Sequence, residues 1–178
     1  SDTQCEVPCY EVRNLRKYIG LIANRFYGFP SQFLCVIGFT GTNGKTTCAG
    51  LTAQALETLG RCTGVIGTLG MGRFNALQPM NLTTPDAVGV QAEPAQMVNA
   101  GLDSVCIEVS SHALDQARVT GVDFNAAVFT NLSRDHLDYH GGMAAYAASK
   151  LLLFQDHRAR AAVINTSDPY GAAFVKTG

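Results

Sequence analysis

An excess of charge of one sign is missing from this sequence. Thirteen Lys and Arg stand against fourteen Asp and Glu, leaving a net charge of −1 over 178 residues. That balance offers no electrostatic handle for nucleic acid or for an anionic membrane surface. Long apolar runs are missing too: "FLCVIGF" at 33–39 is typical of the longest and falls far short of a bilayer span. No zinc-type cysteine spacing occurs. Cys5 and Cys9 are close but form no CxxC pair, while Cys35, Cys62 and Cys106 stand singly in apolar runs, where a thiol behaves as a small hydrophobe. The opening "SDTQCEVPCY" lacks a basic segment followed by an apolar core. These absences lead to the expectation of a soluble protein of the reducing cytoplasm. Neither an internal repeat nor a low-complexity tract is visible.

Apolar residues make up 47% of the chain and charged ones only 15%, which argues for a globular domain rather than a disordered segment. Residues 1–12 read as an extended lead-in broken at Pro8. Residues 13–27 carry Leu15, Ile19, Ile22 and Phe26 at helical spacing. Strands and helices then alternate. The run 33–39 has the continuous apolar character of a strand covered on both faces. Residues 46–59 predict a helix with Cys48, Leu51, Thr52, Ala55, Leu56 and Leu59 on one side and Gly60 as its stop. A second strand is predicted at 62–70, a helix at 91–100, and short buried strands at 104–110, 126–131 and 161–165. "AAYAASKLLLF" at 144–154 forms a helix between the last two strands. This alternation predicts an α/β fold, a mostly parallel sheet flanked by helices. Residues 70–90, rich in Gly, Asn, Thr and Pro, read as a long loop, which in a compact domain is often functional.

The strongest motif is "GFTGTNGKTT" at 38–47, placed between a buried strand and a helix. Such a loop curls so that backbone N–H groups face a phosphate, and the helix N-terminus adds a favourable dipole. Lys45 would reach the terminal phosphates and Thr46 would offer its hydroxyl to magnesium. The standard phosphate-loop pattern expects its first glycine where Phe39 stands, with Gly38 and Gly41 on either side.

Glu108 closes the otherwise apolar "SVCIE" run, at the strand end that faces the ligand crevice in a parallel sheet. A carboxylate beside a phosphate loop suits magnesium, which prefers oxygen donors. "TNLSRDHLDYHGG" at 130–142 packs Asp135, His136, Asp138 and His140 into six residues after the next strand. It reads either as a polar loop capping the helix that begins near Gly142 or as part of a site. Lys150 falls on one helical face with Met143, Tyr146, Ala147, Leu151 and Phe154. Three readings stay open for it. It snorkels to water, the commoner outcome for this spacing. It is a buried amine of depressed pKa. Or it reacts with carbon dioxide to a carbamate, an anion that would join Glu108 and His136 around magnesium.

Taken together, "TGTNGKTT", "EVSSHALDQARV", "FTNLSRDHLDYHG" and "YAASK" resemble the Mur ligases, the ATP-dependent amide ligases of bacterial peptidoglycan synthesis. Within that family the likeness is to the branch that extends a UDP-muramoyl dipeptide to the tripeptide, and it runs from residue 10 to residue 171. The resemblance implies that Gly41, Thr42, Asn43, Gly44, Lys45, Thr46 and Thr47 hold ATP. It implies that Thr46, Glu108, His136 and a carbamylated Lys150 gather Mg2+, with Lys45, Glu108, His136 and Lys150 as the catalytic set. Thr83, Thr84, Ser110, Gln116 and Arg118 would contact UDP-N-acetylmuramoyl dipeptide. The family often places Asn directly before the two threonines; here Leu82 takes that place and Asn81 precedes it. The implied reaction activates the dipeptide's D-glutamate carboxylate as an acyl phosphate and joins it to a diamino acid, meso-diaminopimelate or L-lysine. Residues 1–12 would be the tail of a UDP-binding domain and 13–178 a truncated central ATP-binding domain, without the C-terminal amino-acid-binding domain. Such a piece is expected to be inactive alone. A folylpolyglutamate-synthase-like ligase and a nucleotide-binding module without ligase chemistry are the competing expectations.

Overall fold

Uninterrupted apolar runs become the strands at the centre of the sheet. The computed structural model describes residues 7–156 and 159–177. β1 (Cys35–Thr40) lies between β4 (Ser104–Glu108) and β5 (Ala126–Phe129), parallel to both. β2 (Thr63–Gly67) joins β4 in parallel and β6 (Ala161–Ile164) joins β5 in parallel. β3 (Gly70–Arg73) folds back antiparallel on β2, giving the order β3-β2-β4-β1-β5-β6. In register, Phe39 stands opposite Glu108 on one side and Val128 on the other. The glycine-rich loop therefore leaves β1 directly beside the Glu108 carboxylate, at the carboxyl edge where open α/β sheets bind ligands.

Helices cover both faces. On one, Ala49 and Ala53 of α2 (Lys45–Thr58) pack on Phe39, Val65 and Cys106. On the other, Val36, Ile66, Val105 and Ile107 meet Val90 and Met97 of α3 (Gly89–Asn99), Leu114 of α4 (Ser111–Asp115) and Leu153 of α6 (Met143–Gln155). A third cluster joins Phe129, Leu132, Tyr146 and Ala147 to Phe174 of α7 (Pro169–Thr177). Each fully buried side chain of this size contributes about 1.5–3 kcal/mol. Burial and then the neighbouring Cys35 push the Cys106 thiol up to about 12, so it serves the core as an apolar group. Among the described residues no helix is long and apolar enough to cross a membrane.

Several expected details differ. α1 (Leu15–Phe26) buries Gly20, Ala23 and Asn24, while Leu15, Ile22 and Phe26 stay exposed. The cause is a backbone approach: a side chain at Gly20 would collide with the Thr120 carbonyl. In α2 the buried stripe is Ala49 and Ala53, while Leu51, and Leu59 just past the helix end, face outward. Small residues let this helix lie close on the sheet, which rotates its larger ones away. The strand expected at 62–70 is two strands, β2 and β3, and β3 with its Met71–Gln78 bridge occupies the start of the expected loop at 70–90. Of the lead-in, residues 1–6 lie outside the described residues, and 7–12 are exposed without regular structure.

Candidate active site

Gly41 follows β1 at φ 150, and a Cβ there would run into the Thr130 hydroxyl. The loop is pinned from the segment after β5. Thr42 N donates to Asn131 O at 2.9 Å and Asn43 N to Asn131 Oδ1 at 3.1 Å. In return Thr130 Oγ1 and Asn131 Nδ2 donate to Asn43 O at 2.7 and 3.0 Å. The first bond of the α2 ladder runs from Cys48 N to Gly44 O. The amides of the first turn, at Lys45, Thr46 and Thr47, have no intrahelical partner, and a helix N-terminus of this kind suits an anion.

Two ammonium groups converge on one carbonyl. Lys45 Nζ donates to Gly41 O and Thr42 O, both at 2.9 Å, and Lys150 Nζ donates to the same Gly41 O at 2.9 Å. Lys150 is only 1% exposed, so it does not snorkel. Burial, then the neighbouring Lys45, lower its pKa to about 7 against the pull of Asp135. Burial lowers Lys45 as well, opposed by Glu108 and Asp135. Tyr146, one helical turn before Lys150, places its ring 4.6 Å from Lys150 Nζ and its hydroxyl 3.1 Å from Thr42 Oγ1.

Glu108 is 1% exposed. Its Oε2 accepts from Thr46 Oγ1 at 2.8 Å and Thr68 Oγ1 at 3.3 Å, and its Oε1 accepts from Thr68 N at 2.8 Å. The carboxylate comes so close to β2 that any side chain at Gly67 would overlap it. Among the described residues no Lys, Arg or His nitrogen lies within 4.0 Å of it. A buried carboxylate held only by neutral donors, with a threonine hydroxyl on one oxygen, fits a divalent cation.

His136 sits at φ 51 at the start of α5 (Leu137–His140) and is exposed, its Nε2 3.4 Å from Asp135 Oδ2. Its ring stands edge-on to His112 at 4.8 Å and to Tyr146 at 6.2 Å. These contacts bring it to the His112 and Tyr146 side of the site. Among the described residues no three His, Cys, Asp or Glu side chains gather tightly enough to hold a metal ion. Of the expected magnesium donors, Thr46 and Glu108 are bonded to each other, Lys150 is bonded to Gly41 O, and His136 makes ring contacts with His112 and Tyr146.

The other expected contacts line the adjoining strand tips. Thr84 Oγ1 donates to Glu108 O at 2.7 Å and accepts from Ser110 N at 3.0 Å, and Ser110 Oγ caps α4 through Ala113 N at 3.2 Å. Arg118 grips Gln116 Oε1 with Nε at 2.9 Å and Nη2 at 2.6 Å, and donates from Nη1 to Thr84 O at 3.0 Å. Thr83 joins through its hydroxyl, 3.2 Å from Thr68 Oγ1. The structure adds residues that sequence reasoning passed over: Thr68 on Glu108, Asn131 and Thr130 on the loop, and Tyr146 under Lys150. Tyr146 lies four residues before Lys150 on the same face, and that spacing was the available signal.

A glycine-rich loop opening a helix, with a buried carboxylate and a buried lysine at the tips of a parallel sheet, is an arrangement suited to receiving phosphate groups. Residues 39–178 match the Mur ligase middle domain, and the chain belongs to that family. It is 54% identical over 160 residues to the UDP-N-acetylmuramoyl-L-alanyl-D-glutamate--2,6-diaminopimelate ligase of Xanthomonas campestris pv. campestris (strain 8004), covering 90% of this chain and 32% of that protein. The protein of the same name from Pseudomonas aeruginosa strain PAO1 is 52% identical over 166 residues, covering 93% of this chain and 34% of that protein. A solved structure of a ligase of that name superposes with a TM-score of 0.84 at 36% identity, over 94% of this chain and 34% of that one. A folylpolyglutamate synthase from Mycobacterium tuberculosis complexed with ADP and AMPPCP shares the fold, with a TM-score of 0.72 at 19% identity over 90% of this chain and 44% of that one. The chain spans about a third of the length of these curated relatives.

Proposed function

We propose that the chain is the nucleotide-binding core of an ATP-dependent ligase that joins 2,6-diaminopimelate to UDP-N-acetylmuramoyl-L-alanyl-D-glutamate in the cytoplasm, for peptidoglycan synthesis. On this reading residues 1–12 end a preceding UDP-binding domain or its linker, and 13–178 are part of the central domain. The observation that carries it is the pairing, at one sheet edge, of two lysine amines on a single carbonyl with a buried carboxylate hydrogen-bonded only by neutral donors. Phosphate oxygens would draw Lys45 from Gly41 O and take the loop amides as donors. Thr46 and Glu108 would hold Mg2+, with His136 and a carbamylated Lys150 completing its surroundings. That ion would neutralise the charge spreading over the transferring phosphoryl group.

The chain's own groups then have distinct work. Lys45 and the amides at the start of α2, which have no partner within the helix, stabilise the γ-phosphoryl as the D-glutamate carboxylate attacks in line. Gln116 and Arg118, with Thr83, Thr84 and Ser110, hold the muramoyl substrate by charge-assisted and neutral hydrogen bonds. The acyl phosphate so formed is taken by the amine of the diamino acid.

The test uses the full-length protein. The wild type should form amide and ADP only with UDP-muramoyl dipeptide and the diamino acid both present, and not with a folate and glutamate. Lys45→Ala should lower turnover by roughly 10²–10³-fold or more, the scale for removing a preorganised transition-state donor. Near-normal turnover of that variant, or hydrolysis indifferent to the muramoyl substrate, refutes the reading.

A further inference from the structure

α5 is clamped to α4 at two points. His140 Nε2 lies 3.0 Å from Ser111 Oγ at the start of α4, and the Tyr139 ring packs on His112 at 4.1 Å between centroids. At the other end of α4, Tyr139 Oη donates to Asp115 Oδ2 at 2.7 Å. A phenol has one hydrogen, so the same oxygen can only accept from Gln116 Nε2, which lies 3.1 Å away. With its amino group committed there, Gln116 turns its carbonyl oxygen to Arg118, where it takes the Nε and Nη2 protons. Thr84 O takes a proton from Nη1.

The result is a directed chain of hydrogen bonds from an anion to a cation: Asp115 accepts from Tyr139, Tyr139 from Gln116, and Gln116 from Arg118. Every dipole points the same way, so each bond strengthens the next. Arg118 has five N–H groups. Three are taken, and the remaining two are available to an anion. Gln116 and Arg118 border an open cavity of about 270 Å³ that Arg16 and Asp86 also line.

We propose that Tyr139 and Asp115 are positioning residues for substrate binding: they fix the Gln116 amide, and through it the guanidinium of Arg118 that receives an anionic group of the muramoyl substrate. This rests on the function proposed above. The α5 segment thus serves two ends of the site, carrying His136 on the phosphate side and orienting Arg118 on the substrate side.

Tyr139→Phe keeps the ring on His112 and the His140–Ser111 contact, and removes only the hydroxyl. In the full-length protein it should raise KM for UDP-N-acetylmuramoyl dipeptide about 3–10-fold, the scale of one partly exposed hydrogen bond. KM for ATP should stay unchanged and kcat should move less than twofold. Asp115→Asn, which keeps the acceptor and loses the charge, should give a smaller rise. Adding Tyr139→Phe to Gln116→Ala should change nothing further, because the link is already cut. An unchanged muramoyl KM overturns the proposal. So does an equal rise for ATP, or the same rise in the Gln116→Ala background. A wild type inactive on the muramoyl substrate sinks the functional reading and this inference together; an active wild type with an unshifted Tyr139→Phe sinks this inference alone.

Discussion

The phosphate end of the site and the Thr84–Arg118 end lie on one row of strand tips, yet water treats them differently. At the first, Lys150 and Glu108 are each 1% exposed, and charge is held with little solvent to screen it. At the second, Gln116 and Arg118 are half-buried and Tyr139 is 42% exposed, and order comes from a chain of side-chain hydrogen bonds. Removing a charge from the dry end should therefore damage chemistry. Removing a donor from the wet end should damage affinity by a smaller factor, because water replaces part of what is lost.

The largest expected effect tests the dry end. Glu108→Gln preserves shape and one acceptor for Thr68 N, but withdraws the negative charge beside Thr46. Turnover should fall by roughly 10²-fold or more, with a raised magnesium requirement and an unchanged circular dichroism spectrum. A variant that keeps full activity would erase the contrast between the two ends, since the buried carboxylate would then be structural.

Lys150 offers the next largest, as a stability effect with a definite sign. Its pKa is lowered from 10.5 to about 7. Between those values the unfolded chain holds a proton that the native one has lost, so native stability rises with pH across the window. Below pH 7 the full cost of burying the cation is present, up to ~5 kcal/mol at ~1.4 kcal/mol per pKa unit. In carbon-dioxide-free buffer Lys150→Met should thus be more stable than the wild type at pH 6, and the gain should shrink towards pH 10. Urea unfolding at several pH values measures it. A pH-independent difference would mean that the amine is solvated in the native state. In activity, Lys150→Ala should be nearly dead and partly rescued by short carboxylates, which would replace the anion that a carbamate, on the proposed reading, would supply.

The wet end comes third. Arg118→Ala should raise KM for the muramoyl substrate roughly tenfold while kcat and KM for ATP change little, because the lost contact binds ground state and transition state alike. A fall in kcat with KM unchanged would move Arg118 into the chemical step and erase the difference between the two ends.

The two ends were also unequally legible. The phosphate end is written in local sequence: a continuous apolar strand, the "GTNGKTT" loop and a helix set Lys45 and Thr46 in one short stretch, which Thr130 and Asn131 then pin. Glu108 followed from its place at the tip of a buried strand. The burial of Lys150 did not follow from spacing, which favoured snorkelling. It depends on α6 meeting Gly41, 109 residues away in sequence. The substrate end is written in partners. α4 and α5 have five and four residues, too few for a periodicity to show, and they hold together through Ser111, His112, Tyr139 and His140. The misread faces of α1 and α2 have the same origin, since close backbone approach at Gly20 and small residues at Ala49 and Ala53 outweighed the larger apolar side chains.

The smallest effect sits between the two substrate-side residues. α4 ends with Ala117 N donating to Leu114 O at 3.0 Å and Arg118 N to Ala113 O at 2.8 Å, a paired C-terminal closure that needs a left-handed residue at its pivot. Glycine usually takes that place; here it is Ala117, at φ 56. Alanine costs about 1 kcal/mol or slightly more in this conformation, and glycine gives back roughly 0.4–1 kcal/mol through the freer unfolded chain. Ala117→Gly should therefore stabilise by less than ~1 kcal/mol, raising the melting temperature by no more than about 2–4 °C. KM for the muramoyl substrate should hold within twofold, because the hydrogen bonds of Tyr139, Gln116 and Thr84, rather than the turn, orient Arg118. A several-fold rise in KM without loss of stability would show that the alanine's stiffness, and not the side-chain network, keeps the guanidinium in place.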